Sequence, residues 1–164
     1  MRIKYALVCA AAATVLAAPA LQAKPFRWAS AAEISTWDIH SQNNALQNGI
    51  HAAVYESLVY YNSRTFKLDP VLATSWTQVT PTQLRVNLRQ NVKFHDGSNF
   101  TADDAVYSLQ RAMAKTSNFT PYTAGIDRVV KVNGSTIDIF TRNPNPVLLN
   151  QLTELRMMSK AWAE

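Results

Sequence analysis

Between Leu84 and Arg111 the hydrophobic period changes from two to nearly four across one tight turn, and that change constrains the fold more than any other feature of the chain. Leu84, Val86 and Leu88 alternate with Arg85, Asn87 and Arg89, the pattern of a strand with one face buried and the other in water. Val92 and Phe94 continue the alternation past a turn at Gln90-Asn91. His95-Asp96-Gly97 then supplies an acceptor side chain followed by a residue free to take positive φ, as a sharp reversal requires. A helix is expected next. Thr101 stands at its N-cap, Ala102 opens it, Asp104 holds the capping-box position, and Asp103 adds negative charge near the positive end of the macrodipole. Val106, Leu109 and Met113 fall on one face, Ala105 and Ala112 widen it, and Arg111 and Lys115 suit the opposite pole. Trp76, Phe94 and Leu109 are assigned to a shared core, and Asp96, Gly97, Thr101 and Asp104 to holding the turn and the helix end.

The flanks read less sharply. Apolar residues from Ala45 to Leu58 recur at steps of three and four, which predicts a helix over 42–58 capped by Ser41. Val59-Tyr60-Tyr61 reads as a short strand, and residues 68–76 as an extended stretch that Pro70 confines to an edge or an irregular segment. Val130 and Val132 before Asn133-Gly134, with Ile137 and Ile139 after it, predict a hairpin on a type I′ turn. Asn143-Pro144-Asn145-Pro146 breaks structure ahead of an apolar helix through Val147, Leu148, Leu149, Leu152 and Leu155.

At the amino end, Arg2 and Lys4 precede the run from Ala6 to Ala18, followed by Pro19 and small residues, which is the plan of a cleavable secretory signal over residues 1–23. The run falls short of the roughly 20 apolar residues that cross a bilayer. Cleavage is expected after Ala23, with Ala18-Pro19-Ala20 as the alternative site. Cys9, the one cysteine, leaves with the leader, so the exported chain is held by packing without disulfides, as suits a bacterial periplasm. Two of the 16 basic residues lie in the leader, and the 14 that remain against 11 acidic ones are scattered singly, which argues against nucleic acid as a partner.

Residue types for catalysis are not arranged for it. His95 and Asp96 are neighbours in an extended segment and point to opposite sides, so neither orients the other. His40 and His51 follow no zinc-ligand spacing, no serine sits in a G-x-S-x-G elbow, and the four glycines form no nucleotide cradle. The chain reads as a binder or scaffold rather than an enzyme, with no metal site.

Ala73-Thr74-Ser75-Trp76, Asn87-Leu88-Arg89, Val92-Lys93-Phe94-His95-Asp96-Gly97, Phe100-Thr101-Ala102-Asp103-Asp104 and Ser108 with Arg111 together resemble the extracytoplasmic solute-binding proteins of family 5, the peptide and nickel receptors of ABC importers. Phe26-Arg27-Trp28-Ala29-Ser30, Ser35-Thr36-Trp37-Asp38-Ile39-His40 and Val54-Tyr55-Glu56-Ser57-Leu58-Val59 resemble the segments that open such receptors. The resemblance covers the first third of the family's length and implies a fragment. It further implies a mixed α/β (α+β) fold, part of lobe one of a two-lobed periplasmic binding protein of type II. Residues 24–58 would belong to the lobe-one core, lacking partner strands here, and 59–164 to an insert. The implied ligand face is the loop Ala32-Glu33-Ile34-Ser35-Thr36-Trp37, whose backbone suits an extended peptide and whose Glu33 suits a cationic group. The implied role is the periplasmic substrate-binding component of a peptide importer: monomeric, without cofactor, delivering a peptide or other small solute to inner-membrane permease subunits that couple to energy. The alternative is a small secreted interaction protein, or a non-functional remnant, derived from such a receptor.

Overall fold

The computed structural model describes residues 26–164 apart from 28 and 31. The expected leader, both candidate cleavage sites and Trp28 therefore lie outside the described residues. The chain divides into two units, Met1–Ala31 and Ala32–Glu164. In the first, Phe26, Arg27, Ala29 and Ser30 are exposed and belong to neither strand nor helix.

The second unit begins with an irregular stretch and helix α1 (Ala45–His51), which is shorter than the expected 42–58. Its N-cap is Asn44 rather than Ser41: Asn44 Oδ1 accepts the Gln47 N–H at 3.0 Å, while Ser41 Oγ donates to the Asp38 carbonyl. Both Val54 and Tyr55 return their N–H groups to the His51 carbonyl, and the chain leaves the helix there. Apolar spacing persists to Leu58 because the extended segment that follows buries Leu58 and Val59 as completely as a helix would.

Strands β1 (Val59–Asn62) and β2 (Lys67–Pro70) form an antiparallel ribbon, with Pro70 at its last position. Next come β3 (Ala73–Thr80), β4 (Gln83–Leu88), helix α2 (Ala102–Met113) and a single helical turn α3 (Thr120–Thr123). Strands β5 (Ile126–Asn133) and β6 (Thr136–Thr141) follow, then the short helices α4 (Leu148–Leu152) and α5 (Lys160–Ala163). Two hairpins are laid side by side in a four-stranded antiparallel sheet of order β3-β4-β6-β5. Leu84, Val86 and Leu88 face the core as the alternation predicts, together with Ile137, Ile139 and Val129. Arg85, on the opposite face, grips Asp138 with Nε and Nη2 at 2.8 Å each, and Gln83 adds a third bond to the same carboxylate.

Two turns differ from expectation. Beyond Arg89 the alternation does not make a strand, because Asn91 takes φ 60°, leaving one bridge between Lys93 and Asn99. At the second hairpin neither Asn133 nor Gly134 enters the left-handed region, so the turn is not type I′. Asn133 instead uses Oδ1 to accept the Ser135 N–H at 2.9 Å, which moves the reversal onto Gly134 and Ser135. Their carbonyls then serve the neighbours: Gly134 accepts from Ala102 N and Ser135 from Leu88 N. His95-Asp96-Gly97 behaves as expected, with Gly97 at φ 87° and Asp96 Oδ1 accepting the Ser98 N–H at 2.8 Å.

Helix α2 lies over the sheet, but its buried stripe runs through Ala105, Ser108, Leu109 and Ala112, with Val106 and Met113 at its margin. Small side chains let the helix approach the strands closely. Asp104 is buried and does more than cap. Its Oδ2 accepts from both N and Oγ1 of Thr101, at 2.9 and 2.8 Å, and its Oδ1 accepts the N–H of Lys160 at 2.9 Å. Ser108 Oγ takes the Met158 N–H at 2.9 Å, so two side chains of one helix hold the segment ahead of α5. That segment in turn pairs Met157 N with the Glu56 carbonyl at 2.8 Å. Trp76 and Phe94 are partly buried against the core, and Leu109 is fully inside it.

Asp104→Ala removes three hydrogen bonds to one buried carboxylate and is expected to cost about 3 kcal/mol in urea denaturation. Gly97→Ala puts a Cβ into open space, so its expected cost of about 1 kcal/mol is conformational alone. A cost near zero would show that the turn relaxes out of positive φ.

Candidate functional site

Residues 33–37, the expected ligand loop, are fastened from beneath by α1. Gln47 and His51 sit on the buried face of that short helix. Gln47 Nε2 donates to the Thr36 carbonyl at 2.8 Å while its Oε1 accepts from Ser35 Oγ at 3.1 Å. His51 Nε2 stands 3.1 Å from the same Thr36 carbonyl, and since a carbonyl only accepts, that nitrogen carries hydrogen. Thr36 Oγ1 accepts the Asp38 N–H at 3.0 Å. Trp37 is 49% exposed, with its ring 6.0 Å from the His51 imidazole and its carbonyl receiving the Tyr55 hydroxyl at 3.1 Å. Burial pushes the Tyr55 phenol up, which keeps it protonated as that bond requires. Glu33 is exposed and Ile34 half-buried. The loop thus presents an indole face and a carboxylate on a backbone whose conformation is fixed by buried polar side chains.

A second tie follows immediately in sequence. Asp38 receives Arg111 in a bidentate pair, Nη1 to Oδ1 at 2.6 Å and Nη2 to Oδ2 at 2.7 Å, across 73 residues. The Arg111 guanidinium hydrogen-bonded to Asp38 holds its carboxyl below the usual carboxylate range. Arg111 Nη1 also lies 3.2 Å from His40 Nδ1, so that nitrogen accepts and the imidazole is neutral. Burial, helped by the Arg111 cation, pushes His40 down to about 4. The His40 backbone is anchored as well, its N–H on Asp38 Oδ1 and its carbonyl receiving Asn118 N. Arg111 was expected to serve the helix pole, but its main partner is Asp38. Gln47, His51, Tyr55 and Asp38 support the loop without having been singled out for it. The signal available was that polar residues fall on the apolar face of the 42–58 pattern.

His95 and Asp96 lie elsewhere, in the exposed turn, at the rim of a cavity of about 270 Å³ walled by Val54, Leu72, Phe94, Phe100, Met158 and Trp162. Tyr55 borders the same cavity and links it to the loop. Thr101, Ala102, Asp103 and Asp104 act at the start of α2, with Asp103 paired to Lys131 at 2.6 Å. Among the described residues no three His, Cys, Asp or Glu side chains gather as metal ligands, and no helix is long and apolar enough to cross a membrane.

Because His40 is neutral in the fold but titrates near 6.5 when unfolded, the unfolded chain binds the extra proton between those values. Stability is therefore expected to fall as pH drops from about 6.5 toward 4, by up to about 1.4 kcal/mol per pH unit. Asp38, with a depressed value, contributes stability that is lost only at lower pH, below 3.8. Urea midpoints of wild type and His40→Gln at pH 7, 5.5 and 4.5 check this: the variant should be less stable at pH 7 and flatter over that range.

Residues 67–163 match the description of bacterial extracellular solute-binding proteins, family 5 Middle. The HTH-type transcriptional regulator SgrR of Escherichia coli O6:K15:H31 is 30% identical over 112 residues, covering 66% of this chain and 19% of that protein. Among solved structures, NikZ from Campylobacter jejuni in complex with Ni(L-His) is 26% identical with TM-score 0.69, covering 79% of this chain and 26% of that one. The oligopeptide-binding protein AppA from Bacillus subtilis, in complex with a nonapeptide, shares the fold at TM-score 0.74 and 19% identity, with 81% of this chain covered and 27% of that one. The chain thus spans about a quarter of the length of these two solved proteins and a fifth of the regulator. With its mixed α/β architecture and a match that runs over residues 67–163, more than half of its length, the chain belongs to the bacterial extracellular solute-binding proteins of family 5.

Proposed function

We propose that the chain supplies one wall of the solute cleft in a periplasmic receptor that delivers peptides to an ABC importer. Residues 24–58 would contribute to the core of lobe one and residues 59–164 form its insert. The observation that carries this reading is the pre-organised 33–37 loop: Gln47, His51 and Tyr55 fix its backbone while Trp37 stays half in solvent. A rigid scaffold carrying an exposed aromatic and a carboxylate lowers the ordering cost of binding. Glu33 would meet a peptide's amino group, and Trp37 would stack on its chain. Capture would proceed by closure of two lobes about a hinge, with energy coupling left to permease and ATPase partners.

The first test is the intact mass of the native product in a periplasmic extract, detected through the 76–111 region. A mass several-fold above the 18.3 kDa of this chain is expected. A mass matching residues 24–164 would overturn the clamp and favour a small interaction protein. In the native product, tri- to pentapeptides are expected to shift tryptophan fluorescence saturably, with Trp37→Ala weakening binding about tenfold and Glu33→Gln weakening it only for peptides with a free amino terminus. Response to nickel–histidine and not to peptides would keep the receptor and change its solute.

A further inference from the structure

The tip of the β1–β2 ribbon holds an exposed aromatic side chain in a conformation that suits glycine. Phe66 has φ 56°, where its Cβ crowds the neighbouring carbonyl, and Asn91, the other non-glycine residue in this region among the described residues, has a side chain that tolerates it. Asn62 enforces the geometry. Its carbonyl accepts the Phe66 N–H at 2.8 Å, and its Oδ1 accepts the N–H groups of Arg64 and Thr65. Nothing in the fold repays the strain by burial, since Phe66 is 77% exposed. Residues 63–67 are all exposed, and on the strands behind them Tyr60 and Tyr61 are exposed too. The charges at the apex are Arg64 and Lys67. Asp69, the ribbon's carboxylate, is set back on β2 and receives Asn62 Nδ2 at 2.8 Å.

We propose that this tip docks on an anionic phospholipid surface, with Phe66 entering the interfacial layer and Arg64 and Lys67 meeting head-group phosphates. The arrangement favours a bilayer over a protein pocket. One ring stands at the apex of a narrow ribbon, flanked by cations and backed by two tyrosines, which is the composition of an interfacial anchor rather than of a contiguous apolar patch. Contact through one ring and two cations is weak and reversible, so it would orient the molecule near a membrane without fixing it there. The inference is independent of the solute reading.

The test is co-sedimentation of the full chain at low salt with large unilamellar vesicles of equal parts phosphatidylglycerol and phosphatidylcholine, against phosphatidylcholine alone. Wild type and variants share every other residue, the apolar leader included, so differences report the ribbon. Wild type is expected to partition more strongly to the anionic vesicles, and Arg64→Glu with Lys67→Glu to lose about tenfold. Phe66→Gly separates docking from packing. It should raise the thermal midpoint by about 3 °C, because glycine relieves the backbone, while lowering partitioning about tenfold. Equal binding to both vesicle types, partitioning of Phe66→Gly within twofold of wild type, or a fall in its thermal midpoint would each overturn the proposal.

Discussion

Helix α2 is held at both ends by a charged side chain, and the remaining structure is arranged around those two ties. At its amino end Asp104 joins the helix start to the backbone of Lys160, and near its carboxyl end Arg111 reaches Asp38. Ala105 and Leu109 between them, and Ala112 just beyond, are buried against the sheet, and Ser108 adds a hydrogen bond to Met158. The two ties differ in kind. Asp104 is buried and held by uncharged hydrogen-bond donors, which makes it costly to remove. Arg111 and Asp38 are partly exposed, so their pairing is worth less on its own and draws strength from the buried His40 beside it.

Local signals carried much of this organisation. The alternation through Leu88, positive φ at Gly97 and the cap at Thr101 each have a cause within a few residues, and each appears where the chain implies it. Departures arise where a side chain overrides a pattern. Asn133 uses its own carboxamide to shift a hairpin turn by one residue, and Asn91 stops an alternation that apolar spacing alone would continue. The helix expected over 42–58 stops at His51, because periodicity does not distinguish residues buried on a helix from Leu58 and Val59 buried in the extended segment after it.

In the candidate site, the 33–37 loop enters by resemblance alone, and its supports carry no such signal. Glu33, Ser35, Thr36 and Trp37 stand out by resemblance. The need for Gln47 and His51 beneath them appears only when α1 is placed against the loop, since polar residues on a helix's inner face look like interruptions until their partner carbonyl is known. The same holds for Asp38 with Arg111, where neither partner's spacing announces the other.

The Arg111–Asp38 pair closes 73 residues of chain, whereas each sheet hairpin closes on itself through a turn. Loop-closure entropy and topology put short-range hairpins early in assembly and long-range ties late. The segment from Ser35 to His40 is thus among the last parts to become ordered. Opening it would break these polar contacts and expose the buried Ile39 and His40 while leaving the hairpin hydrogen bonds of the sheet in place, which would make it a subglobal unit distinct from the sheet. Its rigidity is lent by α1 and Arg111, not by any strand pairing of its own.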